Sequence, residues 1–238
     1  MPNSFAAPPN RVYVNDPRNW GIAPGTDFLL DAGTTTALIT SGTAGQVLSE
    51  YGWTTTTLAY VAGSAADFGS SSDPGVAPHL LLGDASDLLA SPAIFGSYDH
   101  MLAASRILGR FPTKLVCEVW AAFTAAAADE PSSAFGFVED GGSVITAAAA
   151  DQLACISSNG TNFELNSGVA SDAGAAIDTA WHRWRIEITS TACEWFMDGT
   201  SQGTIALEAD EFPVSFEAGI VAAGTNTIGL GDVHVWYE

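Results

Sequence analysis

The sequence predicts an all-β fold of two antiparallel sheets packed as a sandwich, and three observations carry that expectation. Apolar and polar residues alternate at period two through WHRWRIEITSTACEWFMDG, residues 181–199, which is the spacing of strands with one buried and one wet face. Segments rich in Thr, Val and aromatic residues recur from near residue 28 to the end, separated by Gly, Pro and Asn turns, whereas helical spacing shows in a single short segment. The 7 Trp, 12 Phe and 5 Tyr of the 238 residues provide core material for one large domain, an ordinary size for a sandwich.

Within residues 181–199 the faces separate residue by residue. Trp184, Ile186 and Ile188 alternate with Arg183, Arg185 and Glu187. Trp195 and Met197 then fall opposite Glu194 and Phe196, Asp198-Gly199 supplies a turn that tolerates positive φ, and Ile205 and Leu207 resume the apolar register beyond it. The pattern predicts an antiparallel meander with an indole-rich inner face and a charged outer one.

Taken in order, residues 1–26 are rich in Pro, Asn and Gly and read as an extended N-terminal arm, one device for lashing a subunit to its neighbours, with disorder the other reading. Residues 27–238 read as one sandwich domain. Thr- and Val-rich stretches from Phe28 to Tyr60 predict strands and turns, Gly63 to Pro78 a polar loop, and Leu80 to Leu82 a short buried strand. Asp99 to Leu108 predicts a helix with Met101, Leu102, Ser105 and Leu108 on one face and Gly109 as its cap, the alternative being strands broken by bends. In KLVCEVWAAF, Leu115, Cys117 and Val119 face one way and Val116, Glu118 and Trp120 the other. Ala125 to Ser133 reads as a loop ended by Pro131, too short for a stable helix. Strands follow at Ala134 to Val138, Gln152 to Ser157 and Asn162 to Leu165, the last two joined by an Asn159-Gly160 hairpin turn. Asp172 to Thr179 reads as a loop, and VSFEAGIVAA and GLGDVHVWYE close the chain as strands.

The formal charge of −20 arises from 27 acidic against 7 basic residues with only 14% charged residues in all, so it reflects a shortage of bases. Such a surface repels nucleic-acid phosphate and anionic membranes; a cationic partner and simple solubility in salty surroundings remain as readings. Cys117, Cys155 and Cys193 sit among apolar strand residues without a CxxC pair, and read as three buried thiols, with one cross-strand disulfide as the alternative. The N-terminal residues have no basic region followed by an apolar run, and no stretch approaches the ~18 apolar residues of a membrane-spanning helix, so export by a signal peptide and membrane insertion are not expected. Asn159-Gly160-Thr161 matches a glycosylation acceptor but reads as a turn.

The run Trp184-Arg185-Ile186-Glu187-Ile188, a short polar turn, and Glu194-Trp195-Phe196-Met197-Asp198-Gly199 resembles the strand, turn, strand and Asp-Gly signature of concanavalin A-like (laminin G-like) jelly rolls. Gly231-Asp232-Val233-His234-Val235-Trp236 is similar to the closing strand that such domains place beside their first. The resemblance implies a jelly-roll sandwich. Its members include lectins, glucanases, adhesion modules and virion surface proteins of tailed bacteriophages, and the Ala/Gly/Thr-rich single-domain layout is similar to the last of these.

Catalytic chemistry finds little footing. A retaining glycosidase needs two carboxylates about 5 to 5.5 Å apart, and the Glu-x-Asp-x-Glu run of glucanases resembling this fold is missing; Glu118 and Glu187 each stand without a second acid beside them. His79, His100, His182 and His234 are scattered, without HExxH or a Cys/His cluster, and no GxSxG elbow is present. No catalytic residue, cofactor or metal ligand is therefore expected. Calcium, which lectins of this fold often carry, is the remaining metal, with Asp16, Asp27, Asp172 and Asp232 as oxygen donors but no Asp-x-Asp-x-Asp loop behind them. A sugar-binding or interface surface wants an exposed aromatic, for which Trp120, Phe196 and Trp236 are the candidates, while Trp184 and Trp195 read as core.

Two functions follow. The first is a virion structural protein of a tailed bacteriophage, a capsid decoration or stabilising subunit or a tail-associated one, homo-oligomeric and bound to major capsid or tail proteins at the virion surface after assembly in the host cytoplasm. The second is a lectin-like module that binds cell-surface glycans. An enzyme ranks last.

Overall fold

The computed structural model describes residues 12–13, 54–55, 59–61, 79–82, 88–96, 98–123, 133–139, 152–167, 170–207, 214–220 and 228–238. They form two antiparallel sheets, as the alternation predicts. In chain order the strands are β1 (Val12–Tyr13), β2 (Thr54–Thr55), β3 (Ala59–Val61), β4 (His79–Leu82), β5 (Leu88–Phe95), β6 (Leu115–Phe123), β7 (Ser133–Glu139), β8 (Gln152–Ser158), β9 (Asn162–Ser167), β10 (Ala170–Ala176), β11 (His182–Ile188), β12 (Ala192–Met197), β13 (Thr200–Ala206), β14 (Val214–Ile220) and β15 (Ile228–Tyr237), and helix α1 (Tyr98–Leu108) lies between β5 and β6. The first sheet runs β13-β12-β11-β6-β15-β4-β3, with β1 also paired to β15; the second runs β10-β9-β8-β7-β14-β5-β2.

Alternation along the strands builds the core between the sheets. Leu115, Cys117, Val119, Ala121 and Phe123 of β6, Trp184, Ile186 and Ile188 of β11, and Cys193 and Trp195 of β12 face inward and are buried. The second sheet answers with Phe135 and Phe137 of β7, Phe163 of β9 and Phe216 of β14. Trp184 is the hub. Its ring lies edge-on to Phe163 at 4.8 Å and to Phe123 at 6.4 Å, and parallel to Trp195 at 6.3 Å, while its Nε1–H donates to the Ala121 carbonyl at 3.1 Å. Full burial of such a side chain is worth about 1.5–3 kcal/mol, provided its one polar atom is satisfied.

Turn chemistry fixes the register. At the β12–β13 hairpin Asp198 has φ 51° and Gly199 φ 80°, so Met197 pairs with Thr200 across a two-residue loop whose twist suits a hairpin. At the β8–β9 hairpin Asn159 Oδ1 accepts from the N–H groups of Thr161 and Asn162, the local bond that makes Asn a turn residue. Helix α1 forms over the predicted segment and ends where Gly109, at φ 71°, donates its N–H to the Ser105 carbonyl at 2.8 Å. Its inward row is Met101, Ala104 and Leu108; Ser105 is only half-buried and bonds back to Leu102.

Residues 172–176, the first part of the expected Asp172 to Thr179 loop, belong instead to strand β10 (Ala170–Ala176). ASDAGAA has poor strand propensity, but it lies at the sheet edge, paired only with β9 and half exposed, where backbone pairing rather than side-chain packing defines the strand. The three cysteines are free and buried; Cys155 donates its thiol to the Phe137 carbonyl. The Gly63 to Pro78 and Ala125 to Ser133 loops lie outside the described residues except for Ser133, which opens β7. So does the arm apart from β1, where Val12 pairs with Tyr237 and Tyr13 with Trp236 of the same chain.

Candidate functional site

The outer face of the first sheet collects the polar half of the alternation. Arg183 pairs in register with Trp120, Arg185 with Glu118 and Phe196, and Glu187 with Val116 and Glu194. Arg185 is the centre of this face. Its guanidinium lies 5.9 Å from the Phe196 ring and 5.8 Å from the Trp236 ring, pairs with Glu187, and reaches Glu118 and Glu238 at 3.9 Å each. Lys114 also pairs with Glu187, which is largely buried at 8% exposure. The carboxylates of Glu118 and Glu187, solitary in sequence, thus share one guanidinium.

The three aromatic candidates have different fates. Trp120 is half-buried, edge-on to Trp181 at 5.6 Å and under the Arg183 guanidinium at 5.9 Å. Phe196 is also half-buried. Trp236 is 1% exposed, so the expectation of an exposed surface there fails. Its ring does point away from the core, but Arg185 covers it and its Nε1–H donates to Glu238 Oε1 at 3.0 Å.

A second polar arrangement sits at the end of this sheet. His182, at the start of β11, places Nδ1 2.7 Å from Asp198 Oδ2 in the β12–β13 turn and Nε2 2.9 Å from Asp178 Oδ1 in the segment between β10 and β11. Asp198 Oδ1 accepts from the Arg183 N–H and Asp178 Oδ1 from the Ala180 N–H, each at 2.9 Å. Burial alone would push the imidazole pKa down, but bonds to the two carboxylates outweigh it and hold the value above its ordinary 6.5. Burial likewise opposes ionisation of Asp198, yet the Arg183 N–H and His182 keep its carboxyl below the usual range. His182 has no metal-ligand spacing to mark it in the sequence; the signal available is Asp178 four residues before it and an Asp-Gly turn in the facing hairpin.

On the outer face of the second sheet Glu164, 4% exposed, accepts from Asn159 and Asn166, each at 3.1 Å, and Asn166 also donates to Ser157 at 2.7 Å. Of the calcium candidates, Asp172 accepts from Trp195 Nε1, whereas Asp16, Asp27 and the Asp232 side chain lie outside the described residues. Among the described residues no group of three or more His, Cys, Asp or Glu side chains is placed to hold a metal ion, and no helix is long and apolar enough to cross a membrane.

No family model matches the chain, and no curated protein matches it in sequence. Solved structures do match in fold. A conserved carbohydrate esterase from the Shiga toxin-encoding bacteriophage phi24B superposes with a TM-score of 0.52 at 14% identity, covering 80% of this chain and 92% of that one. The potassium-bound carbohydrate recognition domain of Emp46p gives a TM-score of 0.45 at 12% identity over 83% of this chain and 92% of that one. A sialidase gives 0.47 at 8% identity, the match covering 79% of this chain but 17% of the enzyme. The sandwich is therefore an arrangement that the phage esterase shares, and at this identity the likeness is one of fold.

Proposed function

We propose that this chain is a non-catalytic surface subunit of a tailed-bacteriophage particle, a concanavalin A-like jelly roll that packs against capsid or tail proteins and against copies of itself. The observation that carries the reading is the use made of the charged groups on the outer face and at the end of the first sheet. Glu187 is spent on Lys114 and Arg185, and Asp178 and Asp198 on His182, so these carboxylates brace the sheet. A bacteriophage protein of similar fold, itself a carbohydrate esterase, is in keeping with the phage part of the reading, as is β1, which lays a piece of the N-terminal segment along β15. The test is addition of purified protein to particles assembled without it: saturable, stoichiometric incorporation supports the reading, and hydrolysis of ester or glycosidic bonds by the free protein refutes it.

A second reading, a glycan-binding module, is favoured by Trp120, a half-buried indole with Arg183 and Trp181 against it. An indole face can stack on a sugar ring while a neighbouring guanidinium bonds hydroxyls. Binding on a glycan array that Trp120→Ala abolishes, without loss of fold, would establish it.

A further inference from the structure

The geometry around His182 points to a proton-dependent clamp: Asp178 and Asp198 grip the two nitrogens of one imidazolium, fastening the segment before β11 to the β12–β13 turn, and the grip opens when His182 gives up a proton. An ionised carboxylate only accepts hydrogen bonds, so both contacts, at 2.7 and 2.9 Å, are satisfied together only when both ring nitrogens carry hydrogen. Loss of one proton turns a bond into a lone pair facing a carboxylate oxygen. The ring cannot swing away to relieve this, because it is 9% exposed and wedged against Trp184 at 5.5 Å and Phe163 at 6.1 Å. The carboxylates can move, since their side chains are 51% and 55% exposed.

The charged groups facing the ring, among the described residues, are Asp178 from the segment before β11 and Asp198 from the turn, with Arg183 bonded to Asp198 through its N–H. Strand β9 presents Phe163 and β11 presents Trp184, both uncharged. The sign follows from the linkage between proton binding and stability. His182 binds its proton more tightly in the folded chain, so its contribution is complete below the ordinary imidazole range and is lost as pH rises through the higher folded value. Asp198 is shifted the other way, so its contribution is complete above the ordinary carboxyl range and lost as pH falls through the lower folded value. The clamp is closed between these limits and opens on the alkaline side. What it frees is the segment carrying Trp181, the edge-on partner of Trp120, so the aromatic end of the sheet becomes sensitive to pH.

The test is a pH titration of the intact protein by NMR, with His79, His100 and His234 as internal comparisons. His182 is expected to show both ring nitrogens protonated near neutral pH and a midpoint above that of free imidazole. Across that midpoint the Ala180 and Arg183 amides, bonded to the two carboxylates, should lose about tenfold or more of their protection from exchange after correction for hydroxide catalysis. His182→Gln should abolish that step. A midpoint at or below the ordinary imidazole value, protection constant through the midpoint, or an unchanged step in His182→Gln overturns the clamp; if that variant does not fold, the wild-type titration alone decides.

Discussion

The indole N–H of Trp195 donates to Asp172 Oδ2 at 3.1 Å, joining β12 of one sheet to β10 of the other along the open side of the sandwich. Gln202 of β13 makes a second link, its Oε1 accepting from the Ala175 N–H at 2.9 Å. Two glycines make room for this seam: a Cβ on Gly174 would lie 2.7 Å from the Trp195 ring, and one on Gly203 1.6 Å from Asp172 Oδ2. A side-chain bond thus closes a side of the sandwich where the two edge strands have no backbone ladder between them.

Gly203→Ala must therefore expel the Asp172 carboxylate and break the Trp195 bond. The expected cost is about 1–3 kcal/mol, the usual range for forcing an extra carbon into a packed site. In an Asp172→Ala background the same substitution should cost less, because the clash is gone. Urea denaturation of the four proteins of this cycle measures the coupling, and additive costs would show that the two residues do not meet.

Tyr237 makes the corresponding link on the other side of the core, its hydroxyl oxygen accepting from the Gly96 N–H at 2.6 Å just beyond β5. Tyr237→Phe leaves that N–H without its acceptor and should cost about 1–2 kcal/mol. Burial pushes the phenol up to about 12 from its ordinary 10, the Gly96 bond opposing only part of the shift. The folded chain therefore holds this proton more tightly, and stability should decline between those two values in the wild type. A shallower decline in Tyr237→Phe, followed by denaturation at stepped pH, is the expected signature.

Much of this was legible in the alternation and turn residues, and what escaped has physical reasons. Trp184, Ile186 and Ile188 could be assigned inward because a strand's two-residue period admits one buried set, and the Asp198-Gly199 turn because few residues tolerate its φ values. Strand β10 escaped because an edge strand of Ala, Gly and Ser carries no apolar period. The outward face of Trp236 was readable, but its burial was not: its cover is Arg185, two strands away across β6. The His182 clamp depends on two carboxylates contributed by separate segments, and period-two reading does not see such meetings.

Arg185 is the remaining lever on the outer face. Arg185→Lys keeps the charge but loses the guanidinium's contact with the Phe196 and Trp236 rings and the fork that reaches three carboxylates. Because the side chain is 27% exposed, solvent screening limits the loss to about 1 kcal/mol. Added salt should remove only part of that difference, since the guanidinium's contact with the rings persists when ion pairs are screened. Thermal melts of both proteins at low and high salt check this; a difference that vanishes with salt would leave charge alone as its cause.

The proposed role is tested most directly by mass spectrometry of purified tailed particles from the lysate of cells that encode this chain. A particle subunit should co-purify through a density gradient in fixed ratio to the major capsid protein and resist removal by washing. Recovery of the chain wholly in the soluble fraction, with none in the particle band, would contradict the assignment.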